Sequence, residues 1–440
     1  MIHKLRSSES VKEAVLKATT LGILARIFGY IKNISIAVII GFNEGTDAFF
    51  FALGVIGIYL IFADVFDSIG VPNLVEALKQ NQQYFKRLAA TFFTFTFILS
   101  CIVTVGAYLA LPFVINIAVG FDSKSKQLLE IFYLILIPYV FTQFYFHHFG
   151  AINRSLKRYT VYFFCEFIFS AVNALIVTVG LLYYKTEIVL GVAYIISQAV
   201  ATAIIVILTK DFIKFDFVYD DRVKEVLKQF LYLTGLYGVL HMFIFIDRAF
   251  ASLLPMKSIS ALSYGLMVST IPRRILKLEN ILITPLSEKN ADSKYVYKSV
   301  KYIVIYTLPI VFILSSLSTY IVKLLFGYGA FGNVDIELTS TATRFYSISL
   351  PLMFLWPVLY RIFQIKKNLF PVFIIAIVSI IVNGISNYLL IVVFNFGLEG
   401  ICMGTFIAYL CLVSFSFIAL RIQYKKWSRS DGKSVSVSSL

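Results

Sequence analysis

Only four cysteines and ten prolines stand among the 440 residues, and no hydrophilic stretch is long enough to form a domain of its own. Cys101, Cys165, Cys402 and Cys411 all fall inside apolar runs, so neither a disulfide frame nor a thiolate zinc site is expected. His147, His148 and His241 have no acidic companion at metal-ligand spacing and read as packed or interfacial side chains. Charge is scarce too, at 14% of residues against 59% hydrophobic. That balance excludes a soluble domain. Apolar runs of about twenty residues recur along the chain, and each is best accommodated by a helix that satisfies its own backbone groups within lipid. No small-residue cleavage site follows the first run, so it is read as a retained span.

Twelve spans are predicted, at 18–42, 47–70, 89–116, 129–151, 160–184, 188–209, 229–254, 258–285, 302–326, 341–360, 369–395 and 398–420. Counted against these spans, 27 of the 39 Lys and Arg fall on the side of the N-terminal tail. The opposite side holds Lys124, Lys126, Lys185 and Lys257. This asymmetry follows the positive-inside rule, which puts both termini in the cytoplasm and supports an even number of spans. The net charge of +15 is then a matter of orientation, and no nucleic-acid partner is expected.

The division expected is an interfacial segment at 1–17, a first lobe at 18–209, a cytoplasmic linker at 210–228, a second lobe at 229–420 and a basic, Ser-rich tail at 421–440. Ser10 and Glu13 have capping-box spacing and predict a short amphipathic helix leading into span one. The tail beyond Trp427 reads as disordered. Internal likeness supports two halves. FYLILIP (132–138) aligns with FYSISLP (345–351), the stretch from Asn173 with that from Asn387, and LGVAY (190–194) with the residues around Gly400, always in the same order. Six spans per half make the halves parallel repeats about an axis along the membrane normal. The fold class is an all-α polytopic membrane protein of two six-helix lobes around a central cleft.

Ionisable groups within spans cost about 2.5–3.5 kcal/mol each on insertion, so they normally face the protein interior or water. Arg26 and Lys32 share span one, about 120° apart on a straight helix, and Gly29 between them would allow a bend. Span eight carries Arg273, Arg274 and Lys277 on one face after Pro272, a kink position. These three either bind an anion or snorkel to headgroups. Asp64 and Asp67 in span two read as charge partners or gating residues, and Asp247 beside Arg248 in span seven as a structural pair or a site. Glu166 stands in span five. Cations from both halves suit a diphosphate, which Arg contacts through a fork and Lys as a point charge.

At these residues the chain resembles the MurJ (MviN) family of the multidrug/oligosaccharidyl-lipid/polysaccharide (MOP) exporter superfamily. The carrying stretches are LARIFGYIKNISIAVIIGFNEGTDAFFFA (24–52) and IFADVFDSIGVPNLVEAL (61–78), with SISALSYG (258–265) and TPLS (284–287) beyond them. The resemblance matches Arg26 to the family's first-span arginine, Lys32 conservatively to its second and Asp47 to the aspartate of TDAFF. Arg26 and Lys32, with the basic stripe Arg273, Arg274 and Lys277, are the candidates to bind the substrate diphosphate, and Asp47, Asp64 and Asp67 are the candidate gating residues or charge partners. The family's span-two arginine falls near Tyr59 or Leu60 here and its span-eight arginine near Met267. Arg273 and Arg274 are the candidates to replace the latter. Members with ion coupling suggest a candidate cation site at Asp247, Asn383, Asn387 and Thr405, with Asn383 and Asn387 on one helix face.

The function that the resemblance implies is a flippase of the bacterial inner membrane for an undecaprenyl-diphosphate-linked saccharide, either lipid II or a surface-polysaccharide repeat unit. It would act as a monomer by alternating access among membrane lipids. It would need no cofactor, with Na⁺ or the membrane potential as its energy source. The alternatives are a MATE-like cation-coupled exporter, which would want an acidic or aromatic cleft, and a membrane glycosyltransferase or polymerase, which would need a large external loop. The external loops are short, so no enzyme is expected.

Overall fold

The computed structural model describes residues 11–218, 220–276, 292–366 and 368–430, all in helices and their connections with no β-strand among them. The first half comprises α1 (Val11–Ile40), α2 (Glu44–Gln80), α3 (Gln82–Leu109), α4 (Leu111–Ile117), α5 (Ser123–Ser155), α6 (Tyr159–Tyr184) and α7 (Ile188–Thr209). The second comprises α8 (Asp221–Ala251), α9 (Ser258–Ser269), α10 (Ile271–Leu276), α11 (Ser293–Ser316) and α12 (Ser318–Phe326), then α13 (Asn333–Ile348), α14 (Leu350–Ile365), α15 (Phe370–Asn387) and α16 (Leu398–Ser430).

Among the described residues, ten helices are long and apolar enough to cross a membrane, or eleven when α13 and α14, bent by 45° at Ser349, count as one span. The remaining predicted span, 258–285, is represented by α9 and α10, and its part beyond Leu276 lies outside the described residues. So do the tail beyond residue 430, Ser10 of the capping box, and TPLS. From Val11 the helix expected to lead into span one is continuous with that span in α1.

Several helices overrun their apolar runs because polar caps lie beyond them. α2 begins at Asn43, whose side chain accepts from Thr46 N–H at 2.9 Å while Thr46 Oγ1 accepts from Asn43 N–H at 2.9 Å. It ends at Asn81, which in turn caps α3 through Tyr84 N–H at 2.8 Å. Pro72 lies within α2 without ending it.

The chain forms two compact units. One runs to Tyr237 and includes Tyr328–Gly332; the other comprises Gly238–Gly327 and everything from Asn333 onward. In the first, α2 packs along α5, α1 along α6, and α7 against α5 and α6. In the second, α9 packs on α13, and α16 on α13, α14 and α15. Second-on-fourth and fifth-on-sixth pairings thus recur. The third span of each half is also broken toward its far end, at Ala110 and at Leu317.

Two connections belong to the first unit. Segment 213–218 is strapped along α3: Thr94 Oγ1 donates to Asp216 O at 2.9 Å, and Val218 N–H donates to Thr91 Oγ1 at 3.0 Å. Phe215 and Phe217 lay their rings on Phe93 and Phe95. Tyr328–Gly332 sits on the end of α1, where Ala330 N–H donates to Val38 O at 2.8 Å. Gly329, at φ +60°, leaves no room for a Cβ against that same carbonyl.

Candidate functional site

The second unit buries one carboxylate among oxygen and amide groups from three neighbouring helices. Asp247 on α8 is 4% exposed. Its Oδ1 accepts from Asn387 Nδ2 at 2.9 Å and from Asn383 Nδ2 at 3.3 Å, both on α15. Its Oδ2 accepts from Thr405 Oγ1 on α16 at 2.5 Å and from Tyr346 OH on α13 at 3.0 Å. Asn383 and Asn387 meet it together because residues four apart share a helix face. An unanswered carboxylate at this depth costs several kcal/mol. Four hydrogen bonds to it, each contributing about 1.5–3 kcal/mol, make the burial tolerable.

The cluster also offers more acceptors than the protein answers. Asn383 Oδ1 and Asn387 Oδ1 are buried without a hydrogen-bond partner. Asn387 Oδ1 lies where a side chain at residue 404 would carry its Cβ, so Gly404 on α16 makes room for it. Two orphaned amide oxygens, a hydroxyl and a single carboxylate form an oxygen-only donor set that fits a hard monovalent cation such as Na⁺.

Sequence reasoning named Asp247, Asn383, Asn387 and Thr405, and the structure brings all four together. It missed Tyr346, the second residue of FYSISLP. The repeat itself held the signal, since the counterpart Tyr133 is also buried and bonded, donating to Ala107 O at 2.6 Å and meeting Tyr59 OH at 2.8 Å. The first unit's counterpart of Asn387, Asn173, donates to Ser197 Oγ at 2.9 Å. Arg248, beside Asp247, donates to Ser263 Oγ on α9 at 3.2 Å.

The predicted phosphate ligands are divided between the units. Arg26 and Lys32 are half-buried on α1, which runs unbroken through Gly29. Lys32 Nζ donates to Tyr194 OH on α7 at 2.9 Å and lies 4.8 Å from that ring's centre. Arg273 and Arg274 sit on α10 in the second unit, Arg273 half-buried and Arg274 exposed. The helix breaks at Thr270, two residues before the predicted kink at Pro272, which takes an early position in the new helix. Lys277 lies outside the described residues. Met267, at the family's span-eight arginine position, is buried.

Asp47 is buried in the first turn of α2, where a negative charge complements the helix N-terminus. Asp64 and Asp67 face α5: Arg154 Nη2 pairs with Asp67 Oδ1, and His147 stands between the two carboxylates. The four cysteines are free thiols.

A helical chain with ten or eleven membrane-length spans among its described residues, in two repeated halves of which one carries a buried oxygen-lined carboxylate, defines a multi-pass membrane transporter. The family model described as lipid II flippase MurJ matches residues 36–438, and the chain belongs to that family. The matched residues begin after Arg26 and Lys32.

A probable lipid II flippase MurJ of Aquifex aeolicus is 27% identical over 393 residues, covering 86% of this chain and 77% of that one. Another from Buchnera aphidicola subsp. Schizaphis graminum is 24% identical over 429 residues, covering 91% and 81%. Among solved structures, a lipid II flippase MurJ in an inward closed conformation superposes with TM-score 0.76 at 18% identity, covering 92% of this chain and 87% of that one. An inward-facing MATE multidrug transporter of the MOP superfamily superposes with TM-score 0.73 at 14% identity, covering 94% and 99%. These two superpositions speak for the shared fold.

Proposed function

We propose that this chain is a flippase carrying a polyprenyl-diphosphate-linked saccharide from the cytoplasmic to the outer leaflet by alternating access. Membership of the lipid II flippase MurJ family is the observation that carries this reading. The substrate is lipid II or a related surface-polysaccharide repeat unit, with the diphosphate held by Arg26, Lys32, Arg273, Arg274 and Lys277. A diphosphate needs forked and point donors of this kind, while the polyprenyl tail stays in lipid. Both termini face the cytoplasm, a reading that the distribution of Lys and Arg supports. The chain works as a monomer and catalyses no covalent step.

Asp247, Asn383, Asn387 and Thr405 are the coupling-ion site. Asp247 supplies the charge, Thr405 its hydroxyl, and the two asparagines the unanswered amide oxygens that support the assignment. When bound, a Na⁺ ion there would neutralise Asp247 and tie α8 to α15 and α16, making the packing of these helices sensitive to the ion.

The test is complementation in two strains, one depleted of its lipid II flippase and one lacking a surface-polysaccharide flippase. Rescue of the first assigns lipid II, and rescue of the second alone assigns a polysaccharide unit. Rescue of neither by a well-expressed, membrane-inserted protein overturns the flippase reading.

A further inference from the structure

Between α2, α3 and the first half of α8, the first unit holds a cavity of about 180 Å³. Phe66 and Ile69 of α2, Phe92 and Leu99 of α3, and Val226 and Phe230 of α8 line it, and no residue along its wall has a polar side chain. The way α8 is held explains the gap. Arg222 of α8 pairs with Glu76 of α2, and fifteen residues further along α8 Tyr237 OH meets Ser68 Oγ at 3.0 Å. These two ties are roughly 22 Å of helix apart. Phe230 lies between them and packs on Phe62 and Phe66, with ring centres 6.3 and 6.1 Å away.

One end of the cavity is closed by polar groups. On each of the three helices these lie one to two turns beyond the last lining residue: Glu76, Tyr84 and Arg222. The Arg222 guanidinium sits 5.9 Å from the Tyr84 ring centre, and Tyr84 OH donates to Asp220 Oδ2 at 2.6 Å. Along one flank Phe95 of the wall packs on Phe217 of the strap, ring centres 5.7 Å apart. The open side is apolar and turned to the bilayer: Ile98 and Ile102 of α3 and Leu227 of α8 line the cavity yet are 47%, 63% and 40% exposed. A space of this kind suits hydrocarbon, since a cavity of about 150 Å³ walled by Leu, Ile and Phe stays dry and takes an apolar guest.

The mouth is basic. Lys224 and Lys228, both exposed, follow Leu227 at about 60° and 100° around α8. Glu225, further round, accepts from Gln229 Nε2 at 3.1 Å. Lys228 immediately precedes the predicted span 229–254, at headgroup level in the leaflet that the Lys and Arg distribution assigns to the cytoplasm. Lysines there attract anionic headgroups. Arg26 and Lys32, the proposed diphosphate ligands of this unit, stand on α1, which contributes nothing to the wall. The cavity is therefore separate from that site.

We infer that this cavity binds one acyl chain of an anionic phospholipid from the cytoplasmic leaflet, with the phosphate at Lys224 and Lys228. The chain enters between Ile102 and Leu227 and lies against Phe66, Phe92 and Phe230. Its methylenes fill the space between the two ties and hold α8 in place against α2 and α3.

The test places the full-length protein in nanodiscs of phosphatidylcholine with phosphatidylglycerol that carries a diazirine on one acyl chain. After illumination, labelled peptides are mapped by mass spectrometry. The peptides holding Leu99 and Val226 should be labelled well above the one holding Phe312, an exposed residue of α11 that reports bulk lipid. Unlabelled phosphatidylglycerol should compete, and additional phosphatidylcholine should not. Val226→Trp and, separately, Leu99→Trp fill the cavity, and each should cut labelling of the opposite helix severalfold while Phe312 labelling stays constant. Lys224→Gln combined with Lys228→Gln should abolish the preference for phosphatidylglycerol. Wild-type labelling no higher than at Phe312 overturns the proposal. So does full labelling in both Trp variants, a preference kept in the double Lys variant, or displacement of the probe by polyprenyl phosphate where phosphatidylglycerol fails.

Discussion

Asn387 gives its amide nitrogen to Asp247 at 2.9 Å while its amide oxygen, buried beside Gly404, has no hydrogen-bond partner. That one side chain both stabilises the carboxylate and leaves an acceptor unanswered, as a site built for a cation would.

The first prediction concerns Asp247 itself. Na⁺ should raise the thermal midpoint of the wild-type protein relative to K⁺ at equal ionic strength. An ion at 100 times its dissociation constant stabilises by about 2.7 kcal/mol. Asp247→Asn should abolish the difference. An undiminished Na⁺ shift in that variant would place the ion elsewhere.

Gly404→Ala supplies a subtler test. The new methyl would occupy the place of Asn387 Oδ1 and turn that amide away from its present position. The variant should insert normally and lose most of the Na⁺-dependent stabilisation. Full retention of that shift would show that Asn387 Oδ1 is not a ligand.

Lys32 and Arg26 should behave differently. Lys32 is engaged by Tyr194, so Tyr194→Phe, which removes only the hydroxyl, should weaken transport modestly by freeing the ammonium. Arg26→Ala should abolish transport with normal expression and insertion. Wild-type complementation by Arg26→Ala would remove that residue from the phosphate site.

The strap over α3 carries the pH prediction. Arg87 Nε donates to Asp216 at 3.2 Å and holds that carboxyl below its usual range. Because the folded value is the lower one, the pair contributes fully above the ordinary carboxylate value of about 3.9 and is lost as pH falls through the folded value. Hydrogen exchange at the Val218 amide, corrected for the intrinsic pH dependence, should lose protection below about pH 4. Arg87→Ala should reproduce that loss at neutral pH by a few-fold, as befits an exposed pair. Unchanged protection in Arg87→Ala would leave the strap to its threonines and phenylalanines alone.

Spans and repeats were legible because hydrophobic length is a local property. Where the helices break was less so: Pro112 follows the break at Ala110, yet no proline or glycine stands at Leu317, and only the parallel between halves links the two. The cluster about Asp247 could be read in part from Asn383 and Asn387, whose spacing is local. Tyr346 reaches Asp247 from another helix, so its role depends on packing. The same holds for His147 and Arg154, whose meeting with Asp64 and Asp67 depends on the register of α5 against α2. The contact of Lys32 with Tyr194 likewise depends on how α1 packs, and no local spacing announced it.

The most direct measurement is transbilayer movement of lipid II in liposomes holding the purified protein, followed by its accessibility to an enzyme added outside. The wild-type protein should move lipid II well above the protein-free rate, and Arg26→Ala should fall to that background. Movement at the protein-free rate by folded protein, for lipid II and for polyprenyl-diphosphate-linked polysaccharide units alike, would contradict the assignment as a flippase.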